Sequence, residues 1–326
     1  MTLARRIYVG WVPVGGGAPI TIQSMTNTDT RNVPKTVAQI QQLAKEGCEI
    51  IRIAVPDIAS AERIPEIISE SSIPVIADVH FDYRIAIAAI KAGVHGIRLN
   101  PGNIENEKEI AKVAFAINER NIPVRVGSNT GSISRKYRPE KSNGNKEDAV
   151  SDALVRSALE QCRILEKYQV KNIKVSLKAS DVKTTVLANR KFAKFADYPL
   201  HIGVTEAGTY KRGIIKSAIG IGSLLLDGIG DTLRVSLTAQ PVEEVKAGIM
   251  ILESVGLRTA NPEIISCPTC GRTQIDLFSL VDIVENEIAT IKMSGKKLNL
   301  KKIAVMGCAV NGPGEARDAD LGVAGG

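Results

Sequence analysis

The residues best suited to chemistry stand in the last fifth of the chain, in Ser266-Cys267-Pro-Thr-Cys270-Gly271-Arg272 and in Met306-Gly307-Cys308-Ala-Val-Asn311-Gly312-Pro313-Gly314-Glu315. Their spacing is C-x2-C-x37-C-x6-E. A C-x-x-C pair brings two thiolates onto one metal or cluster, and a third cysteine at a strand end fills another corner. No histidine lies nearby to be the fourth ligand. A structural zinc site is normally closed by four nitrogen or sulfur ligands, which weighs against a zinc ribbon, whereas a cubane iron-sulfur cluster tolerates three thiolates. Glu315 then fits the last iron as a hard, exchangeable oxygen ligand, leaving that iron open to a substrate oxygen. The glycines and Pro313 fit a tight loop whose N–H groups can bond sulfide and tune the potential. A plainer alternative makes Cys267 and Cys270 a redox pair and Cys308 a buried thiol, but such a pair belongs beside a βαβ unit and this one follows a linker. Cys48 and Cys162 read as packing residues in helical contexts.

A second set of reactive groups lies upstream. Five apolar runs carry one cation flanked by aliphatics: Ile51-Arg52-Ile53, Ile97-Arg98-Leu99, Val124-Arg125-Val126, Ile173-Lys174-Val175 and Leu233-Arg234-Val235. If these are strands covered on both faces, each cation is desolvated and needs an anion, because burying it unpaired costs several kcal/mol. The nearby carboxylates, Asp78, Asp82, Glu206 and Glu49, are too few. A polyanionic ligand fits the excess, and arginine suits phosphate because its fork makes two charge-assisted bonds. Arg98 and Arg125 are the foremost phosphate contacts on this argument, while Arg52 and Arg234 can instead pair inside the barrel wall. Asn100, Asn129, Lys178 and Glu206 each follow a strand by a few residues. Glu206 suits a proton donor or acceptor, or a plain salt-bridge partner. His80 sits at a strand end, whereas His95 and His201 read as structural.

The elements that must position these groups alternate. Strand-like runs at 19–25, 49–55, 74–79, 96–99, 123–127, 172–177, 200–204 and 231–237 are separated by helical patterns, as in a parallel sheet covered by helices. Eight such units match a (β/α)8 TIM-type barrel, whose active site lies where the strands end. The rival open doubly wound sheet lacks its G-x-G-x-x-G after the first strand. The polar connection over 132–148 is long enough for a lid or binding loop. A last barrel helix near 241–255 gives way to a linker over 257–262, ending in Asn261-Pro262. The predicted domains are therefore 1–256, the substrate-binding barrel, and 257–326, a small α+β iron-sulfur domain. In the latter, Leu277, Leu280, Val281, Val284, Ile288 and Ile291 share one helical face and Lys302 to Val310 reads as a strand.

Composition sets outer limits. A net charge of +7 favours anionic partners without choosing among them. No apolar run is long enough for a signal peptide or a membrane span, so a cytoplasmic protein without membrane contact is expected. The basic stretch from Lys296 to Lys302 reads as a solvated turn, and nucleic acid is not an expected partner.

Taken together with Ile22-Gln-Ser-Met-Thr-Asn27, Ala77-Asp-Val-His-Phe-Asp82 and Arg98-Leu-Asn-Pro-Gly-Asn103, the two cysteine motifs resemble the 4-hydroxy-3-methylbut-2-enyl diphosphate synthase family of the methylerythritol phosphate isoprenoid pathway, over essentially the whole chain. The resemblance implies a [4Fe-4S] enzyme that reductively opens a cyclic diphosphate, with flavodoxin or ferredoxin as electron donor. It implies a homodimer in which the cluster domain of one subunit serves the barrel of the other. It places Cys267, Cys270, Cys308 and Glu315 at the cluster, Glu206 at the acidic catalytic position, and Arg52, Arg98, Asn100, Arg125, Asn129 and Lys178 at the diphosphate. The chain stops at Gly326, where relatives usually continue, so a C-terminally truncated small domain is expected. Two other classes compete: a non-redox barrel transferase of the pterin-binding kind, which has no use for the cysteine trio, and a zinc-ribbon nucleic-acid-binding protein.

Overall fold

The protein is described from a computed structural model that covers residues 4–79, 82–99, 106–133, 135–137, 146–259, 262–296, 298–308 and 312–324. Two compact units make up the chain, residues 1–255 and 256–326.

The first unit opens with a hairpin of β1 (Ile7–Val9) and β2 (Val12–Val14). Eight parallel strands follow: β3 (Thr21–Met25), β4 (Ile50–Val55), β5 (Val75–Val79), β6 (Gly96–Leu99), β7 (Val124–Asn129), β8 (Ile173–Lys178), β9 (His201–Ile202) and β10 (Thr232–Leu233). They run in the order β8-β7-β6-β5-β4-β3-β10-β9, and a Val175 to Leu200 bridge joins the two ends into a barrel. Nine helices among the described residues connect and cover them: α1 (Val33–Lys45), α2 (Ile58–Ala61), α3 (Ile64–Glu70), α4 (Tyr83–Lys91), α5 (Glu107–Arg120), α6 (Lys146–Lys167), α7 (Val182–Phe195), α8 (Tyr210–Leu226) and α9 (Pro241–Ser254). Asn32, Asp57, Asp82, Asn106 and Asp181 start helices as N-caps whose side chains accept a backbone N–H, satisfying a donor the first turn leaves open.

Alternation along the strands divides the barrel's chemistry. One set of residues, including Ile51, Ile53, Val55, Ala77, Val79, Ile97, Val126, Val175, Leu177, Ile202 and Leu233, points outward into one apolar core with the helices. The other set points inward, and the strand registers stack it in layers of four from alternate strands. From the bottom, these are Ile50, Gly96, Lys174 and Thr232, then Gln23, Ile76, Arg125 and His201, then Arg52, Arg98, Ser176 and Arg234, then Met25, Asp78, Gly127 and Gly203. The hairpin closes the bottom, with Ile7, Val9 and Val14 packed on Ile50 and Ile76.

The second unit is a three-stranded parallel sheet, β11 (Glu263–Ser266), β12 (Lys302–Met306) and β13 (Leu321–Ala324), in that order, with α10 (Leu277–Met293) and the single turn α11 (Gly312–Glu315). Leu277, Ile288, Ile303 and Val305 form its core, joined by Leu280, Val281 and Val284 from the expected face of α10. Cys48 departs from expectation. It lies in the connection between α1 and β4, not in a helix, where its thiol donates to the Ile50 carbonyl at 3.2 Å. Cys162 is within α6, as expected.

Candidate active site

Every one of the five strand cations expected from the sequence points into the barrel, and Lys178 joins them at the end of β8. Arg52, Arg98, Arg125, Lys174 and Lys178 are all buried, at 8% exposure or less. Asp78 on β5 serves two of them. Its Oδ1 lies 2.8 Å from Arg98 Nη1 and its Oδ2 lies 3.3 Å from Arg52 Nε. Arg52 also reaches the Met25 sulfur from Nη2 at 2.9 Å. Arg234 takes Glu244 of α9 at 3.3 Å, and the same carboxylate accepts the Leu237 N–H. Both arginines given an internal alternative, Arg52 and Arg234, thus have an internal carboxylate, and Arg98 shares Asp78.

One carboxylate shared by two arginines leaves the interior strongly positive. Burial, then repulsion from Arg52 and Arg98, pulls Arg125 well below the usual guanidinium range. Burial followed by repulsion from Arg125 and Arg234 does the same to Lys178. Arg52 is pushed down to about 9, by burial first and despite the pull of Asp78. A polyanion at this level would restore the charged forms that burial disfavours. Asn129 lies beside Lys178 in register at the ends of β7 and β8. Past these strand ends lies a cavity of about 520 Å³, lined by Thr130 and Ile133 after β7, Lys146 at the start of α6, and Ser180, Asp181 and Thr184 after β8.

Glu206 follows β9 and is exposed, with a backbone φ of 51°. The other described non-glycine residues with positive φ, Asn121 and Gln169, follow the ends of helices α5 and α6, where such a conformation is routine. At Glu206 it marks a strained strand-end position of the kind that clusters at functional sites. Asn100 and His80 lie outside the described residues, as does most of the 132–148 connection.

In the small unit, the cysteines sit where adjacent parallel strands end. Ser266 pairs in register with Val305, so Cys267 follows β11 and Cys308 follows β12 at the same end of the sheet. The Gly307 N–H donates to Cys267 Sγ at 3.3 Å, the kind of amide-to-sulfur bond that tunes a cluster. Cys270 is exposed, and its turn is fixed by its N–H donating to Thr273 Oγ1 at 3.1 Å and its carbonyl accepting from the Thr273 N–H. The Gln274 N–H then bonds the Gly307 carbonyl, tying the C-x-x-C turn to the loop that carries Cys308. Among the described residues no three His, Cys, Asp or Glu side chains converge on a single ion. A cubane does not require that, because each of its irons takes its own ligand. Three sulfur donors at one end of one small sheet fit such a group. The side chain of Glu315 lies outside the described residues.

Gln23, which sequence reasoning does not single out, and His201, which it reads as structural, both point into the barrel, and among the described residues their side-chain polar atoms have no hydrogen-bond partner. The signal was available in the alternation itself, since His201 and Gly203 share parity with the inward positions of β9.

Comparison with known proteins places both units. A family model described as the GcpE TIM-barrel domain matches residues 4–249, and one described as the GcpE protein C-terminal domain matches residues 263–326. Three relatives are each named 4-hydroxy-3-methylbut-2-en-1-yl diphosphate synthase (flavodoxin). The protein of Desulfotalea psychrophila is 50% identical over 322 residues, 99% of this chain and 86% of the relative. That of Geobacter sulfurreducens is 52% identical over 322 residues, 99% and 88%. That of Caldanaerobacter subterraneus is 53% identical over 325 residues, 99% and 88%. Among solved structures, dihydropteroate synthase from Xanthomonas albilineans superposes with a TM-score of 0.52 at 15% identity, covering 79% of this chain and 99% of that one. A truncated 3-deoxy-D-arabino-heptulosonate 7-phosphate synthase from Thermotoga maritima gives 0.52 at 12% identity, covering 91% and 95%. At such identities these structures share the barrel and nothing more. With both units matched and about half of all positions shared with relatives along nearly its full length, the chain belongs to the GcpE family.

Proposed function

We infer that this protein converts 2-C-methyl-D-erythritol 2,4-cyclodiphosphate to 4-hydroxy-3-methylbut-2-enyl diphosphate, a two-electron ring opening that releases water in isoprenoid precursor biosynthesis. The observation that carries the reading is the identity of about 50% over 99% of the chain to relatives bearing that name. The surplus of buried cations in the barrel gives the physical reason such a chain would hold a cyclic diphosphate.

In this reading Arg52, Arg98, Arg125 and Lys178 clamp the diphosphate, with Asn100 and Asn129 as neutral partners at the strand ends. Arg52 and Arg98 need not abandon Asp78, because a guanidinium has five N–H donors and one carboxylate occupies two at most. Burial keeps water from competing for the phosphate oxygens and strengthens each contact. Glu206, exposed at the mouth, holds the proton delivered to the leaving hydroxyl. Cys267, Cys270, Cys308 and Glu315 hold a [4Fe-4S] cluster, which when bound supplies the two electrons one at a time. Flavodoxin or ferredoxin is the donor, and a homodimer in the cytoplasm completes the proposal on the strength of the resemblance. Among the described residues, no helix is long and apolar enough to cross a membrane.

Likeness to dihydropteroate synthases extends to the barrel alone and leaves the three cysteines without a task. Elemental analysis of anaerobically purified protein separates the alternatives: iron with acid-labile sulfide for this reading, zinc for a ribbon, neither for a pterin-type transferase. In the reconstituted enzyme, Glu206→Gln is expected to bind the cyclodiphosphate normally while turnover falls by about 10²–10⁴-fold. Turnover close to wild type would remove Glu206 from the chemistry.

A further inference from the structure

Below the layer of Arg52, Arg98 and Arg234 the barrel holds polar groups, some of them level with Arg125, that the diphosphate reading does not use. Lys174, Thr232, Gln23 and His201 occupy the two lowest interior layers, each 1% exposed or less. Among the described residues, Lys174 Nζ, both amide atoms of Gln23, both ring nitrogens of His201 and the Thr232 hydroxyl have no hydrogen-bond partner, and neither has the Thr21 hydroxyl just below. Thr232 neighbours both Thr21 and His201 in register, so these groups share one compartment. Buried polar atoms are nearly always paired, and a cluster of them without protein partners points to a bound water or ion.

Charge decides which. The charged and titratable groups facing this compartment from the surrounding strands are Arg52, Asp78, Arg98, Arg125, Lys178, His201 and Arg234, with Glu244 behind Arg234 and Asp231 at the foot of β10. Asp78 is engaged by Arg52 and Arg98, Glu244 by Arg234 and the Leu237 N–H, and Asp231 by the Leu200 N–H. Among the described residues no carboxylate hydrogen-bonds the Lys174 ammonium; Asp231 attracts it through space, and the surrounding cations still outnumber that one carboxylate. We propose that the floor of the barrel holds a small monovalent inorganic anion of halide size between Lys174, His201, Gln23 and Thr232. The donors suit it: an ammonium, a hydroxyl, an amide N–H and a ring N–H. The floor is closed, because the hairpin packs Ile7, Val9 and Val14 against Ile50 and Ile76 directly below, and this suits a small ion. Burial, followed by repulsion from Arg125 and Arg52, lowers Lys174 to about 7, and an adjacent anion reverses that shift.

Chloride is the ordinary occupant of such a site and bromide its crystallographic reporter. Crystals of the cluster-loaded full chain grown in bromide should show an anomalous peak beside Lys174 Nζ, with His201 and Thr232 as neighbours. Density there without anomalous signal, meaning water, overturns the proposal. In solution, replacing gluconate by chloride at constant ionic strength should raise Tm by about 2–4 °C. Lys174→Met and the near-isosteric Thr232→Val should each reduce that rise, and Thr232→Val keeps the test open if loss of the lysine prevents folding. An undiminished rise in Thr232→Val would place the halide elsewhere and contradict the assignment. Pyrophosphate binding, measured in parallel, reports on the mouth of the barrel and so separates failure of this site from failure of the diphosphate reading.

Discussion

Lys174 and Asp78 show how one residue each sets the electrostatics of the interior. Asp78 is shared by the two arginines it touches, and among the described residues Lys174 has no hydrogen-bonded carboxylate, only the through-space pull of Asp231. The consequence is a pH dependence with a definite sign. Lys174 titrates near 7 in the folded barrel against 10.5 ordinarily, so between those values the unfolded chain holds a proton the folded one has released. Stability therefore rises with pH across that window, by up to about 1.4 kcal/mol per pH unit from this residue. Below the window both states are protonated and the folded state carries the full penalty. In halide-free buffer, denaturant titrations from neutral to alkaline pH should give a shallower rise for Lys174→Met than for wild type. Parallel curves would mean that Lys174 stays charged in the empty barrel.

Strands are what convert an alternating sequence into this chemistry. A cation between two aliphatics was readable as an inward-facing charge because β-strand parity sends both aliphatics to the helices, and Arg52, Arg98, Arg125, Lys174 and Arg234 all obey it. The eight-strand order was equally legible, since each strand is a β-branched run bounded by helical periodicity. Element lengths were less so. The runs at 200–204 and 231–237 shrink to two-residue strands β9 and β10, because pairing ends once the Arg234 N–H reaches the Ile202 carbonyl. The hairpin β1–β2 and strands β11 and β13 were missed, being three or four residues each and lacking a continuous buried face. His201 reads as structural on the ground that it precedes a strand, whereas it is the first residue of β9. Gly203 explains part of this local geometry. A Cβ there would overlap the Arg234 carbonyl oxygen and approach Lys178 Nζ to 2.8 Å. Gly203→Ala should cost about 1–3 kcal/mol in chemical denaturation and weaken pyrophosphate binding by displacing Lys178. Unchanged stability and affinity would show that β9 and β10 can separate freely.

Across the whole molecule, charge is partitioned by unit. From Gly256 onward the chain carries eight Lys and Arg against eight Asp and Glu, so the entire excess of +7 belongs to the barrel. The small unit is thus neutral with three cysteines at one end of its sheet, while the barrel has a positively charged interior; under the proposed function the first would hold the electron-supplying cluster and the second would bind the anion. The cysteine spacing was legible from sequence because ligand spacing is a local property, whereas the tie between the C-x-x-C turn and the Cys308 loop depends on β11 pairing with β12. The most direct test of the account is anaerobic turnover. The reconstituted protein, given reduced flavodoxin and 2-C-methyl-D-erythritol 2,4-cyclodiphosphate, should yield 4-hydroxy-3-methylbut-2-enyl diphosphate by phosphorus NMR. Unconsumed cyclodiphosphate in the presence of a spectroscopically intact cluster would contradict it.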